Sequence, residues 1–74
     1  MKVYIYSNDT AETQLFEGQS TAGVQNRQLV VTAPTGTGGL TRNAKYKYSL
    51  TMPNHNVAVA TLTAVNGTTY TFSV

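Results

Sequence analysis

Residues 45–74, KYKYSLTMPNHNVAVATLTAVNGTTYTFSV, carry the reading that decides the fold. β-Branched and aromatic residues recur in this stretch with a period close to two, the spacing of a strand with one buried face. Two turn signals divide it into three strands. Asn66-Gly67 is the strongest short-range hairpin signal, because a type I′ turn needs positive φ at both central residues. Taken as a two-residue turn, it predicts pairing of Val65 with Thr68, Thr63 with Tyr70, Thr61 with Phe72 and Val59 with Val74. Pro53-Asn54-His55-Asn56 reads as a four-residue turn that pairs Met52 with Val57, Leu50 with Val59, Tyr48 with Thr61 and Tyr46 with Thr63. Both registers put the same residues on the same face, and a one-residue slip in either would exchange the faces.

The predicted core face carries Tyr46, Tyr48, Leu50, Met52, Val57, Val59, Val65, Tyr70, Phe72 and Val74. The opposite face carries Lys45, Lys47, Ser49 and Thr51, then Ala58, Ala60, Leu62 and Ala64, then Thr69, Thr71 and Ser73. Small apolar side chains thus form a stripe flanked by two polar strands. That stripe is a candidate contact surface for another subunit; the alternative is that it packs beneath the N-terminal strands of the same chain. The last strand ends on Tyr70-Thr71-Phe72-Ser73-Val74 with no charge or proline to guard it. It is expected either to extend a neighbour's sheet or to pair with the strand at Lys2 to Ser7. Ala58, Ala60, Leu62, Ala64, Tyr70, Phe72 and Val74 are therefore the candidate interface.

Towards the N-terminus, Lys2 to Ser7 alternates with Val3 and Ile5 on one face and Lys2, Tyr4 and Tyr6 on the other. Asn8-Asp9-Thr10 reads as a turn, and a weak strand is expected around Thr13 to Glu17. Residues 18–26 lack a period and are read as a flexible loop. Arg27 to Ala33 reads as a strand with Leu29, Val31 and Ala33 on one face, ended by Pro34, which has no N–H for a ladder. Residues 34–43 form the second flexible loop, a candidate arm containing Gly36, Gly38, Gly39 and Arg42. The expectation is one all-β domain over residues 1–74, a small antiparallel sandwich or partly open barrel of five to six strands with a C-terminal three-stranded meander.

Composition narrows the function classes. Only 11% of the 74 residues are charged, the net charge is +2, and threonine occupies thirteen positions, against roughly 25% charged residues in an average soluble domain. The sequence pI near 9.2 reflects the scarcity of charges, not a basic patch. Cysteine is absent, so no disulfide supplements a core of this size, which alone supplies roughly 3–5 kcal/mol. Association with a partner is the expected supplement. Met1-Lys2 leads directly into the first strand, too short for the apolar segment of a secretory signal, and no stretch approaches the ~20 apolar residues of a membrane span.

Motifs for chemistry are weak. His55 has no second ligand at metal spacing, so it reads as a turn residue, and no metal or cofactor is expected. Thr35-Gly36-Thr37-Gly38-Gly39 lacks the Gly-Lys-Ser/Thr ending and the strand–loop–helix context of a phosphate cradle. Asp9, Glu12 and Glu17 lie far in sequence from the single histidine, and nothing promotes a catalytic triad. Lys2, Arg27, Arg42, Lys45 and Lys47 lie near Tyr4, Tyr46 and Tyr48, but Lys45 and Lys47 project from the face opposite the rings, which argues against a nucleic-acid platform.

The expectation is a non-enzymatic structural or assembly protein, a phage-like virion component such as a capsid decoration or stabilising subunit. Its partner would be a second copy or a capsid lattice, and its location the virion, after synthesis in host cytoplasm. The alternative is a small cytoplasmic inhibitor or adaptor that captures one protein; single-stranded nucleic-acid binding ranks below both.

Overall fold

The computed structural model describes residues 1–11 and 13–74. Seven strands form: β1 (Lys2–Ser7), β2 (Gln14–Gln19), β3 (Val24–Gln25), β4 (Gln28–Thr32), β5 (Lys45–Leu50), β6 (Ala58–Asn66) and β7 (Thr69–Ser73). No described residue is helical. All seven strands are antiparallel in one sheet of order β2-β1-β5-β6-β7-β4-β3, and β2 also pairs with β4, so the sheet is ring-like. The meander β5-β6-β7 stands as expected, and the strand count exceeds the expected five to six.

The ring closes through a small irregularity. Gln19 opposes Thr32 and Val24 opposes Leu29, so β2 and β3 are two pieces of one strand along β4. Residues 20–23 stand opposite only Val30 and Val31, and bulge away. The Ser20 hydroxyl accepts the Gly23 N–H at 3.0 Å and holds the bulge together. The stretch expected to be a loop at 18–26 is thus the end of β2, this bulge and β3. A hairpin follows, with Asn26 (φ 53°) and Arg27 (φ 61°) as the two central residues between Gln25 and Gln28. Positive φ at both is the type I′ geometry.

Inside the ring, Val3, Ile5, Phe16, Leu29, Val31, Tyr46, Tyr48, Ala60, Leu62, Tyr70 and Phe72 form one buried cluster. Phe16 lies on Tyr70 with ring centroids 5.5 Å apart, and Tyr46 meets Phe72 edge to face at 6.2 Å; such pairs stabilise by about 0.5–1.5 kcal/mol beyond area burial. Residues 34–43 lie over this core. Leu40 and Ala44 pack on it, the Thr41 N–H donates to Tyr46 Oη at 2.7 Å, and Tyr70 Oη donates to the Thr37 carbonyl at 3.4 Å.

Both predicted registers are corrected. Tyr46 pairs with Ala60 and Tyr48 with Ala58, three residues away from the expected Thr63 and Thr61. An odd shift turns β6 over. The connection spans residues 51–57, with Thr51 (φ 67°), Asn54 (φ 57°) and Asn56 (φ 49°) in the left-handed region. Its amides bond to β1: Thr51 N–H to the Lys2 carbonyl and Asn54 N–H to Tyr6 Oη, both at 2.9 Å. At the other turn, Asn66 pairs with Thr69, so Gly67-Thr68 is the two-residue loop. Gly67 has φ 62° at the first central position, as a type II′ turn requires. A bulge between Leu62 and Ala64 then brings Leu62 opposite Phe72. Met52, Val57, Val59, Val65 and Val74 are consequently exposed, while Ala60 and Leu62 join the core.

On the outer face of β1, Tyr4 and Tyr6 are also buried, and Tyr6 is covered by the 51–57 connection. Ser49, expected on a solvated face, is fully buried there, with Oγ 3.3 Å from Tyr6 Oη.

Candidate functional site

The predicted interface is largely interior. Ala60, Leu62, Tyr70 and Phe72 belong to the core and Ala58 is half-buried against it, so the stripe packs within its own chain. The C-terminal strand has no open edge. β7 is paired with β6 on one side and β4 on the other, and the Val74 N–H donates to the Arg27 carbonyl at 2.9 Å. Its partner is neither a neighbouring chain nor β1. Of the seven candidate residues, only Ala64 and Val74 are exposed.

A different surface takes the stripe's place. Rows of cross-strand partners run over the outer face of β6, β7 and β4: Ala64–Thr71–Val30, Thr61–Ser73–Gln28 and Asn66–Thr69–Thr32. The Thr63 hydroxyl donates to the Thr71 carbonyl at 3.1 Å beside them. Val30 is more than two-fifths exposed, and these rows contain no charged residue; beyond them on β5, Lys45 stands opposite Thr61 and Lys47 opposite the exposed Val59. The outward positions of β4 follow from its alternation, whereas those of β6 depend on the register and bulge that sequence reasoning missed.

In the candidate arm, Gly36, Gly38, Gly39 and Arg42 are exposed, and nothing lies within 4 Å of a Cβ built on any of the three glycines. The segment is tied down at two points: the Thr37 N–H donates to the Pro34 carbonyl at 3.1 Å, in a turn that contains Gly36, and the Asn43 N–H to the Leu62 carbonyl at 2.6 Å.

The charged groups do not converge. Lys2 Nζ is 3.7 Å from Glu17 Oε2, with both side chains well solvated; exposed pairs of this kind contribute about 0–1 kcal/mol. Lys45 and Lys47 alternate with the buried Tyr46 and Tyr48 along β5, so cations and rings face opposite ways. Asp9 sits in the turn after β1 and His55 in the 51–57 connection, while Glu12 lies outside the described residues. No group of three or more His, Asp or Glu able to hold a metal ion occurs among the described residues.

Two of the surface clefts lie among the described residues. One, of about 290 Å³, lies at the 20–23 bulge and is lined by Gln19, Ser20, Thr21, Gln25, Gln28 and Thr32 around Val30. The other, of about 360 Å³, is lined by Tyr48, Leu50, Thr51, His55 and Asn56. Neither contains a charged side chain. No helix among the described residues is long and apolar enough to cross a membrane. No family model, curated protein or solved structure matches the chain.

Proposed function

We propose that the chain is a non-enzymatic assembly protein, of the kind that decorates or stabilises a phage-like capsid, and that it associates with copies of itself through the outer face of β4, β6 and β7. The observation that carries this reading is the uncharged run of Thr, Ser, Gln, Ala and Val across three adjacent strands. In a two-fold contact the same patch meets itself, so a charged patch opposes its own pairing and a neutral one does not. The exposed Val30 supplies apolar area, and the hydroxyls supply hydrogen bonds at the margin. The virion context rests on composition alone: a small, threonine-rich, charge-poor chain.

Light scattering after size exclusion, over a range of concentrations, tests the reading. Closed oligomers that revert to monomers in Val30→Lys, with unchanged circular dichroism, are expected. A wild-type monomer at every concentration sinks self-assembly and leaves capture of a single foreign protein, the adaptor reading, to be tested next.

A further inference from the structure

Three features meet at the cleft beneath the 51–57 connection. The first is Tyr48, which is only 7% exposed and lines the cleft. Its hydroxyl, like that of the equally buried Tyr4, has no hydrogen-bond partner among the described residues, whereas those of Tyr6, Tyr46 and Tyr70 are all bonded. Among the described residues no fully buried side-chain oxygen or nitrogen lacks a partner, so the Tyr48 oxygen reaches solvent. The ring is thus held in the core while its hydroxyl is open to a partner from outside the chain.

The second feature is the backbone of the rim. Thr51 and Asn56, which line the cleft, and Asn54 between them all have positive φ, and a β-branched residue there is a genuine outlier. Such conformations persist only where surroundings fix them, and they cluster at ligand sites. Here the bonds from Thr51 N–H to Lys2 and from Asn54 N–H to Tyr6 do the fixing. The third feature is the lining itself: a phenol, an imidazole and a carboxamide around the half-buried Leu50, with no charge.

We propose that this cleft binds an uncharged planar heterocycle with an amide or amidine edge, the chemistry of a nucleobase. A carboxamide such as that of Asn56 presents a donor and an acceptor side by side, the pattern that grips such an edge bidentately. The exposed imidazole of His55 supplies a stacking face of the kind that unpaired bases use. Tyr48 Oη provides a third polar contact and Leu50 an apolar one. Because no lysine or arginine lines the cleft, the ligand is a base or nucleoside and not a phosphate-bearing strand. A volume near 360 Å³ lies at the small end of ligand pockets and suits one ring system.

The test is a titration of the isotope-labelled full chain with adenosine, guanosine, cytidine and uridine, and separately with ribose, followed by the amide resonances of residues 48–56. At least one nucleoside is expected to shift them saturably, and ribose is not. Tyr48→Phe keeps the ring in the core and removes only the hydroxyl; it should weaken binding roughly three- to tenfold, the worth of one hydrogen bond. Asn56→Gly suits the local φ and removes the carboxamide, and should weaken binding about tenfold or more. If no nucleoside shifts these resonances, if ribose alone reproduces the shifts, or if both variants bind as the wild type does, the proposal falls.

Discussion

Arg27 holds a position that its side chain does not favour. It is the second central residue of a two-residue turn, with φ 61°. A residue with a Cβ costs about 1–2 kcal/mol in that region, and glycine avoids the penalty. The side chain is exposed and the Arg27 carbonyl accepts the Val74 N–H, a bond that substitution leaves intact. Arg27→Gly should therefore stabilise the protein by about 1 kcal/mol after the added freedom of the unfolded chain is counted. Urea denaturation reads this as a higher midpoint, and a lower one would mean that the arginine side chain holds the hairpin in some other way. The same residue shows why the hairpin was hard to read. Asn-Arg carries a left-handed pair without the glycine that marks it, whereas the Asn66-Gly67 pair, which does carry the mark, is not the turn: Gly67 occupies its first position and Asn66 remains in β6.

Among the elements, the 51–57 connection has the widest consequences. Locally, Pro53-Asn54-His55-Asn56 looks like a four-residue turn, and its ends would then set the β5–β6 register. The observed loop is longer because it reaches across to β1, where Tyr6 Oη accepts the Asn54 N–H from 48 residues away. That contact lies outside any local window. Tyr6 is almost fully buried and its hydroxyl also meets Ser49 Oγ, so Tyr6→Phe would leave the Asn54 N–H and Ser49 Oγ without this partner. The expected cost is about 1–2 kcal/mol. Hydrogen exchange should also accelerate at Asn54 more than at the amides of β5 and β6. Unchanged exchange at Asn54 would show that Tyr6 does not hold the connection in place.

For the whole molecule, closure of the ring depends on Gly18. A Cβ there would lie 2.5 Å from Val31 Cγ1, 2.7 Å from the Thr32 carbonyl oxygen and 3.2 Å from Phe16 Cε1. The carbonyl belongs to the backbone of β4 and cannot rotate away. The glycine is thus required for room: it lets β2 come close enough to β4 for Gln19 to pair with Thr32, the one bridge between these strands. Gly18→Ala should cost about 1–3 kcal/mol, the range for overpacking, and should speed exchange at Gln19 and Thr32. Wild-type stability in this variant would mean that the ring is not held shut at this point.

The sequence by itself determined the all-β class, the bounds of β1 at Lys2 to Ser7, the end of a strand before Pro34, and the inward positions of Leu29, Val31, Tyr46, Tyr48, Tyr70 and Phe72. Each is fixed by alternation within a few residues, and a period of two is a local property of the chain. Tertiary structure decided which face of β6 turns inward, that β7 takes β4 as its second neighbour, and where the ring closes. It thereby moved Ala60 and Leu62 from a candidate interface into the core and brought Val59 to the surface. The physical reason is that pairing register passes through loops and bulges. A shift of an odd number of residues exchanges the two faces of a strand, and the loop that set the shift takes its conformation from β1, a part of the chain distant in sequence.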